Sequence, residues 1–232
     1  MADHRGAAYR ADDFQRVGGA ALIAAGVLIL TSFGFPRPDD PADHAGFLAL
    51  LVENAGLTKA IILAVPLGIW ALVIGVTAIQ SSIAGRAGDA FARIGLYGVL
   101  GGTAVITVQF ALAAGALIEG ATADAGVVLW AAATYVRSFG MMVLWLALAS
   151  VGVGMVTSAV YPAWSGWVPI GLGVAMAGVS LVAIVAGATL MTAIISGGLA
   201  ALTALWAVSL GIWIARRATR ERSALPAATA PR

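Results

Sequence analysis

The sequence predicts an all-α, polytopic transmembrane helical bundle of six spans, with both termini in the cytoplasm and two short interfacial helices on the outer side. Three observations predict it. Of 232 residues, 61% are hydrophobic and 10% charged, against about 25% charged in a soluble domain, so most of the surface must face lipid. Apolar runs long enough to cross ~30 Å of hydrocarbon recur along the chain. The basic residues gather in the tails and in alternate loops, which orients a membrane protein with those segments inside.

The first sixteen residues are polar and form a cytoplasmic tail (1–16). Span one runs from Val17 to Phe35 and stops at Pro36-Arg37-Pro38, which cannot continue a helix. A signal peptide also has a basic head, but this run exceeds the ~7–15 residues of its apolar region and lacks a small-residue cleavage site. A retained span is the favoured reading. His44 to Gly56 is too short to cross and predicts the first outer interfacial helix. Span two covers Leu57 to Gln80, a polar loop follows to Ala92, and span three covers Arg93 to Ile118. Val127 to Ala159 is too long for one span, and Arg137 divides it: a second short outer helix to Val136, then span four from Ser138 to Val156. Tyr161 to Trp167 makes an interfacial turn. Val168 to Ala215 carries no charge and predicts a helical hairpin turning near Thr189 to Ile194. The transmembrane domain so defined is 17–217, and 218–232 is a disordered cytoplasmic tail rich in Ala and Pro.

The orientation comes from counting Lys and Arg. Arg5, Arg10, Arg16, Arg86, Arg93 and five arginines from Arg216 onward fall on one side. Arg37, Lys59 and Arg137 fall on the other, among six carboxylates. The chain is therefore placed in a bacterial cytoplasmic membrane with its basic side inside. The net charge of +2 is small and distributed in loops, which speaks for orientation and against a nucleic-acid partner.

Scarcity excludes several activities. There is no cysteine, so disulfides, thiolate catalysis and iron–sulfur clusters are ruled out. The two histidines, His4 and His44, lie outside the spans, which excludes haem held by membrane histidines and histidine-rich metal sites. The sole lysine, Lys59, begins span two rather than lying mid-membrane, as a retinal Schiff base would need. No phosphate-binding loop or dinucleotide fingerprint occurs. No catalytic residue, metal or cofactor is assigned.

A few polar groups stand out. Glu53, Lys59, Glu119 and Arg137 fall near the outer interface, either as a polar vestibule in which Arg137 pairs with Glu119 or Glu53, or as charges that snorkel to water. Gln109 is the one amide deep in a span, roughly 24 Å along the helix from Arg93, on a helix with Thr103 and Thr107. It suits an inter-helix hydrogen bond or a substrate contact. Pro66 interrupts the hydrogen bonding of span two, as a static bend or a hinge. Small residues four apart, as in Gly98/Gly102, Ala60/Ala64/Gly68, Gly171/Ala175, Gly173/Ala177 and Gly197/Ala201, suit close helix approach. Trp164, Trp167 and Trp213 on the inner side and Trp130 outside fit an interfacial belt, while Trp70, Trp145 and Trp206 suit packing between helices. Ala45-Gly46 and Ala125-Gly126 open similar units 80 residues apart, a hydropathy repeat of the kind transporters contain.

Three segments carry a resemblance: Ala45 to Gln80 as an outer helix plus span; Tyr161-Pro162-Ala163-Trp164-Ser165-Gly166-Trp167-Val168-Pro169-Ile170-Gly171-Leu172, with its Pro-x-Trp-x-Gly opening to span five; and the closing Trp213-Ile214-Ala215-Arg216-Arg217. Over about 200 residues the chain resembles a family of bacterial six-span integral membrane proteins defined only as a domain of unknown function. The resemblance implies the topology and brings no activity, cofactor or site.

The function expected is therefore an accessory or structural membrane component without a catalytic or redox site. Its partners are the lipid bilayer and, in addition, other membrane subunits or a second copy. The alternatives are a carrier or channel for a small solute, and a lipid-binding protein or membrane enzyme using outer-face carboxylates.

Overall fold

The computed structural model describes residues 4–34, 43–119, 124–187 and 189–224, with side chains between 13 and 219. Seven α-helices and no strand occur among them: α1 His4–Leu30, followed by a 3-10 turn Thr31–Gly34, α2 His44–Glu53, α3 Ala55–Ile83, α4 Asp89–Glu119, α5 Asp124–Ser158, α6 Ala163–Ala186 and α7 Leu190–Ala224. Six are long and apolar enough to cross a membrane, and α2 is the short one. The predicted all-α, six-span integral membrane architecture is what the chain forms.

The six long helices make a closed ring in chain order. Each packs on its successor, and α7 returns to pack on α1. The start of α1 and the end of α7 therefore lie at the same end of the bundle. The interface of α4 with α5 is the most extensive, and that of α6 with α7 the thinnest. Lipid tails are as apolar as leucine, so close packing must hold such helices together. Glycine provides it here. A methyl group on Gly102 would fall 2.8 Å from the backbone nitrogen of Leu144, and one on Gly95 2.8 Å from the carbonyl of Ala147, so α4 lies backbone to backbone on α5. Gly19 and Gly211 do the same for α1 and α7. Of the predicted small-residue pairs, Gly98 and Gly102 face α5, Gly68 faces α1 and Gly173 faces α5, whereas Gly171 has open space.

The ring is filled, not hollow. Leu22, Leu72, Val76, Ile106, Trp145, Met176, Trp206 and Leu210 belong to one buried cluster to which all six long helices contribute. A smaller cluster of Leu48, Leu51, Ile62, Ala113, Ala116, Trp130 and Ala133 lies where α2 meets the adjoining ends of α3, α4 and α5. The Asp43 side chain caps α2 through the Gly46 amide at 2.8 Å. Asn54 breaks the path between α2 and α3, its side chain donating to the Leu50 carbonyl at 2.9 Å. Thr58 closes the corner by donating to the Leu51 carbonyl at 3.1 Å.

Several expectations are corrected. The second short outer helix does not exist: 124–158 is one continuous 35-residue helix. Arg137 marks a height in the membrane, not a helix end, because nothing at 136–138 removes a backbone hydrogen bond, and Ser138 donates to the Thr134 carbonyl within the helix. At 1.5 Å per residue α5 is about 52 Å long. Its N-terminal segment extends towards α2, where Phe47 and Trp130 meet edge to face at 5.2 Å. The N-terminal tail 1–16 is helical from His4, and α7 runs on to Ala224, well into the predicted tail 218–232; residues 225–232 lie outside the described residues. Span one ends its α-helix at Leu30, short of Phe35, and the Pro36–Pro38 stop also lies outside the described residues. The hairpin breaks earlier than Thr189 to Ile194: α6 ends at Ala186, Gly187 adopts a φ of +88°, and α7 has begun by Leu190. Trp70 is 43% exposed, yet its indole donates to Thr107 of α4 at 3.2 Å, so it bridges α3 and α4 at the rim of their seam, while Trp145 and Trp206 are buried.

Candidate functional site

Glu53 ends α2, Lys59 stands in the first turns of α3, Glu119 ends α4, and Arg137 lies in α5; all four are exposed. Among the described residues no ion pair or hydrogen bond joins them, and the one ion pair is Asp89 with Arg93 at 2.5 Å. Arg137 thus does not meet Glu119 or Glu53. The packing of Gly140 on Ile106 and of Gly102 on Leu144 sets the antiparallel register of α4 and α5. That register puts Arg137 at about the height of Gln109. Gln109 is 8% exposed and makes no hydrogen bond, so the expected inter-helix bond is absent. Thr103 Oγ1 and Trp145 Nε1 are also buried without a partner. Pro66 is half-buried within α3, which continues through it.

The structure assembles a different site, at the end of the bundle where α1 starts and α7 finishes. A cavity of about 370 Å³ is lined by eleven residues from four stretches of chain. Phe14 and Gln15 come from α1. Ser81, Ser82 and Arg86 come from the end of α3 and the turn after it. Val160 and Tyr161 come from the α5–α6 linker, and Trp213, Ile214, Arg217 and Ala218 from α7. Its size is within the ~300–1,000 Å³ of ligand sites.

Its walls are braced by their own hydrogen bonds. Gln15 Nε2 donates to the Ala78 carbonyl at 2.9 Å and to Ser81 Oγ at 3.3 Å, tying α1 to α3. Ser82 Oγ donates to the Ile79 carbonyl at 2.7 Å, which uses its only proton. The Tyr161 hydroxyl therefore donates to Ser82 Oγ, at 2.7 Å, and ties the α5–α6 linker to α3. Burial pushes the Tyr161 phenol above its ordinary pKa of 10.0, with the charge of Arg217 acting in the opposite sense. The Arg217 Nη1 donates to the Val160 carbonyl at 3.0 Å, and its guanidinium lies 5.5 Å from the centre of the Trp213 ring, which in turn sits 5.6 Å from Tyr161.

The linker that places Val160 and Tyr161 is strained. Ala159 has a φ of +53°, a left-handed conformation that costs an alanine roughly 1–2 kcal/mol. Such outliers persist where the surroundings hold them and gather at functional positions. Among the described residues lining the cavity, two are arginines and none is a carboxylate. Arg86 is exposed, and its side chain has no ion-pair partner among the described residues.

Comparison with known proteins leaves the geometry to stand alone. No family model, curated protein or solved structure matches the chain.

Sequence reasoning named Trp213 and Tyr161 only as interfacial aromatics and Arg86 only as a charge of orientation. The one signal that could have raised them further is the clustering of aromatic and basic residues at three separate points along the chain. Among the described residues no group of three or more His, Asp or Glu is placed to hold a metal ion.

Proposed function

We propose that the protein is a non-catalytic component of a bacterial cytoplasmic membrane, an accessory or assembly subunit, with both termini in the cytoplasm. The observation that carries this proposal is the ring itself. Glycine seams hold its helices backbone to backbone, and buried apolar side chains fill its middle. Such an arrangement is rigid and offers broad lipid-level faces to neighbouring subunits. The cytoplasmic placement of the termini is supported by the arginines of the α3–α4 turn and of α7 sharing one end of the bundle. Membership of the six-span family is likewise proposed, on the Pro162-x-Trp164-x-Gly166 opening of α6 and the Trp213 to Arg217 close of α7. Native mass spectrometry after gentle extraction tests the accessory role. Stoichiometric co-purifying subunits are expected, and a lone monomer would overturn it.

A second reading, a small-solute carrier, is favoured by the unpartnered Gln109 amide, Thr103 hydroxyl and Trp145 indole on adjoining helices α4 and α5. Buried polar groups without partners cost free energy unless something satisfies them. Substrate-dependent flux in sealed proteoliposomes would establish it, and its absence across neutral and weakly charged solutes would remove it.

A further inference from the structure

We propose that Arg137 and Gln109, opposed across the α4–α5 seam, bind the carboxylate of a small organic acid in a recess at the α2 end of the bundle. The inference shares Gln109 with the carrier reading but concerns binding alone, so a failed flux assay leaves it standing. The pairing follows from the register. Gly95 meets Val151, Gly102 meets Leu144 and Gly140 meets Ile106. Three residues on from Ile106 and three back from Gly140, the same antiparallel series brings Gln109 opposite Arg137. Both positions lie on the faces that the two helices bury. On α4, Gln109 falls between buried Ile106 and Ala113; on α5, Arg137 falls between buried Ala133 and Gly140, at helical spacing.

Arg137 nonetheless stays open. The protein surrounds its guanidinium, yet the residue is exposed. Both hold where a side chain lines a recess within the bundle. The neighbouring helices leave room for one. The packing of Gly152 on Gly166 and of Gly173 on Ala149 brings Arg137 level with residues 181–185 of α6. No described residue from 181 to 202 is buried, so the α6–α7 hairpin closes the ring only loosely at this height.

Two polar groups thus stand opposite each other without a bond. Gln109 is nine-tenths buried with a free amide, and Arg137 has neither an ion pair nor a hydrogen bond among the described residues. A guanidinium enclosed by protein is costly unless an anion neutralises it, and an ionisable residue at such depth marks a pair or a ligand path. Glu53 and Glu119 do not supply that anion. A carboxylate would, accepting two parallel bonds from the guanidinium and a third from Gln109 Nε2. The adjoining Ile106, Ala113 and Ala133 offer apolar surface, which favours a short alkyl chain over a hydrated inorganic ion.

The test is calorimetric titration of the full chain, in phosphatidylcholine nanodiscs at constant ionic strength, with acetate, propionate and butyrate. Chloride and the uncharged propionamide serve as controls. Saturable binding of at least one of the three acids is expected, with none of either control. Arg137→Gln is expected to weaken it about tenfold or more, as loss of one charged hydrogen-bond partner predicts. Arg137→Lys keeps the charge without the planar fork and is expected to fall between the two. Gln109→Met should weaken binding about three- to tenfold, and Arg86→Gln, at the other end of the bundle, should leave it unchanged. Arg137 makes no side-chain bond, so its variants are expected to fold; a cooperative melt without ligand confirms that, and Gln109→Met supplies an independent reading. The proposal is overturned by the absence of saturable binding to all three acids, by equal binding of chloride or propionamide, by affinity undiminished in the Arg137 and Gln109 variants, or by an equal loss in Arg86→Gln.

Discussion

Trp206 of α7 repairs a gap that Pro169 leaves in α6. The carbonyl of Ser165 would normally accept the amide four residues on, but residue 169 is a proline and has none. The indole Nε1 of Trp206 donates to that carbonyl instead, at 2.8 Å in a buried setting. An intramembrane proline is tolerated when a neighbouring helix satisfies the freed group. Here the neighbour also holds the thinnest seam of the ring together.

Trp206→Phe is therefore expected to destabilise the bundle by about 1–3 kcal/mol, the cost of a buried unsatisfied acceptor added to a small packing loss. Restoring the amide with Pro169→Ala should reduce that loss. A double-mutant cycle read by thermal or denaturant unfolding checks the coupling, and strictly additive effects would show that the indole bond does not compensate for the proline.

The α4–α5 seam predicts a contrast between neighbouring glycines. Gly102→Ala puts a methyl against the backbone of Leu144 and is expected to cost about 1–3 kcal/mol. Gly101→Ala meets nothing within 4 Å and should be neutral or stabilising by up to about 1 kcal/mol, since alanine is the better helix former. Melting temperatures of the two variants, measured side by side, decide it.

Gln109 is the simplest discriminator between a structural and a solute-handling interior. With its amide buried and unbonded, Gln109→Met is expected to raise stability by about 1–2 kcal/mol. A loss of similar size would mean that the amide has a partner in the membrane, such as a bound solute.

Arg137 is expected to act alone. In a cycle with Glu119→Gln or Glu53→Gln, the Arg137→Gln effect should be additive within about 0.5 kcal/mol. A larger coupling in bilayers would re-establish the pairing that the sequence suggests.

Tyr161 gives the structure a signature at high pH. Its folded pKa lies above the unfolded value of about 10, so the folded state holds the phenolic proton more tightly. The resulting contribution to stability is fully present below pH 10 and is lost as pH rises through the folded pKa. Absorbance at 295 nm should show a late-titrating tyrosine that disappears in Tyr161→Phe, and the fall in stability above pH 10 should be shallower in that variant.

The spans were legible because hydropathy over about 20 residues is a strong signal and the lipid enforces it. The second outer helix was misread for a definite reason. A charge such as Arg137 in an apolar run looks like a boundary, yet a helix ends only where backbone hydrogen bonding is interrupted, as at Asn54. The tryptophans follow depth: Trp206 and Trp145 are buried as their positions suggest, whereas Trp70 bridges to Thr107 of α4 at 3.2 Å while 43% exposed, a placement that depends on rotation about α3. The basic cavity was not legible. Its residues come from positions 14–15, 81–86, 160–161 and 213–218, and only ring closure brings α7 beside α1 and α3.

That closure also governs biogenesis. About 190 residues separate Gly19 from Gly211, so at ~5–20 residues per second α1 enters the bilayer roughly 10–40 s before its partner exists. During that interval its glycine ridge faces lipid or a borrowed helix of the insertion machinery. The first helix made is among the last to find its place, and a nascent chain stopped short of α7 leaves the glycine ridge of α1 without its partner.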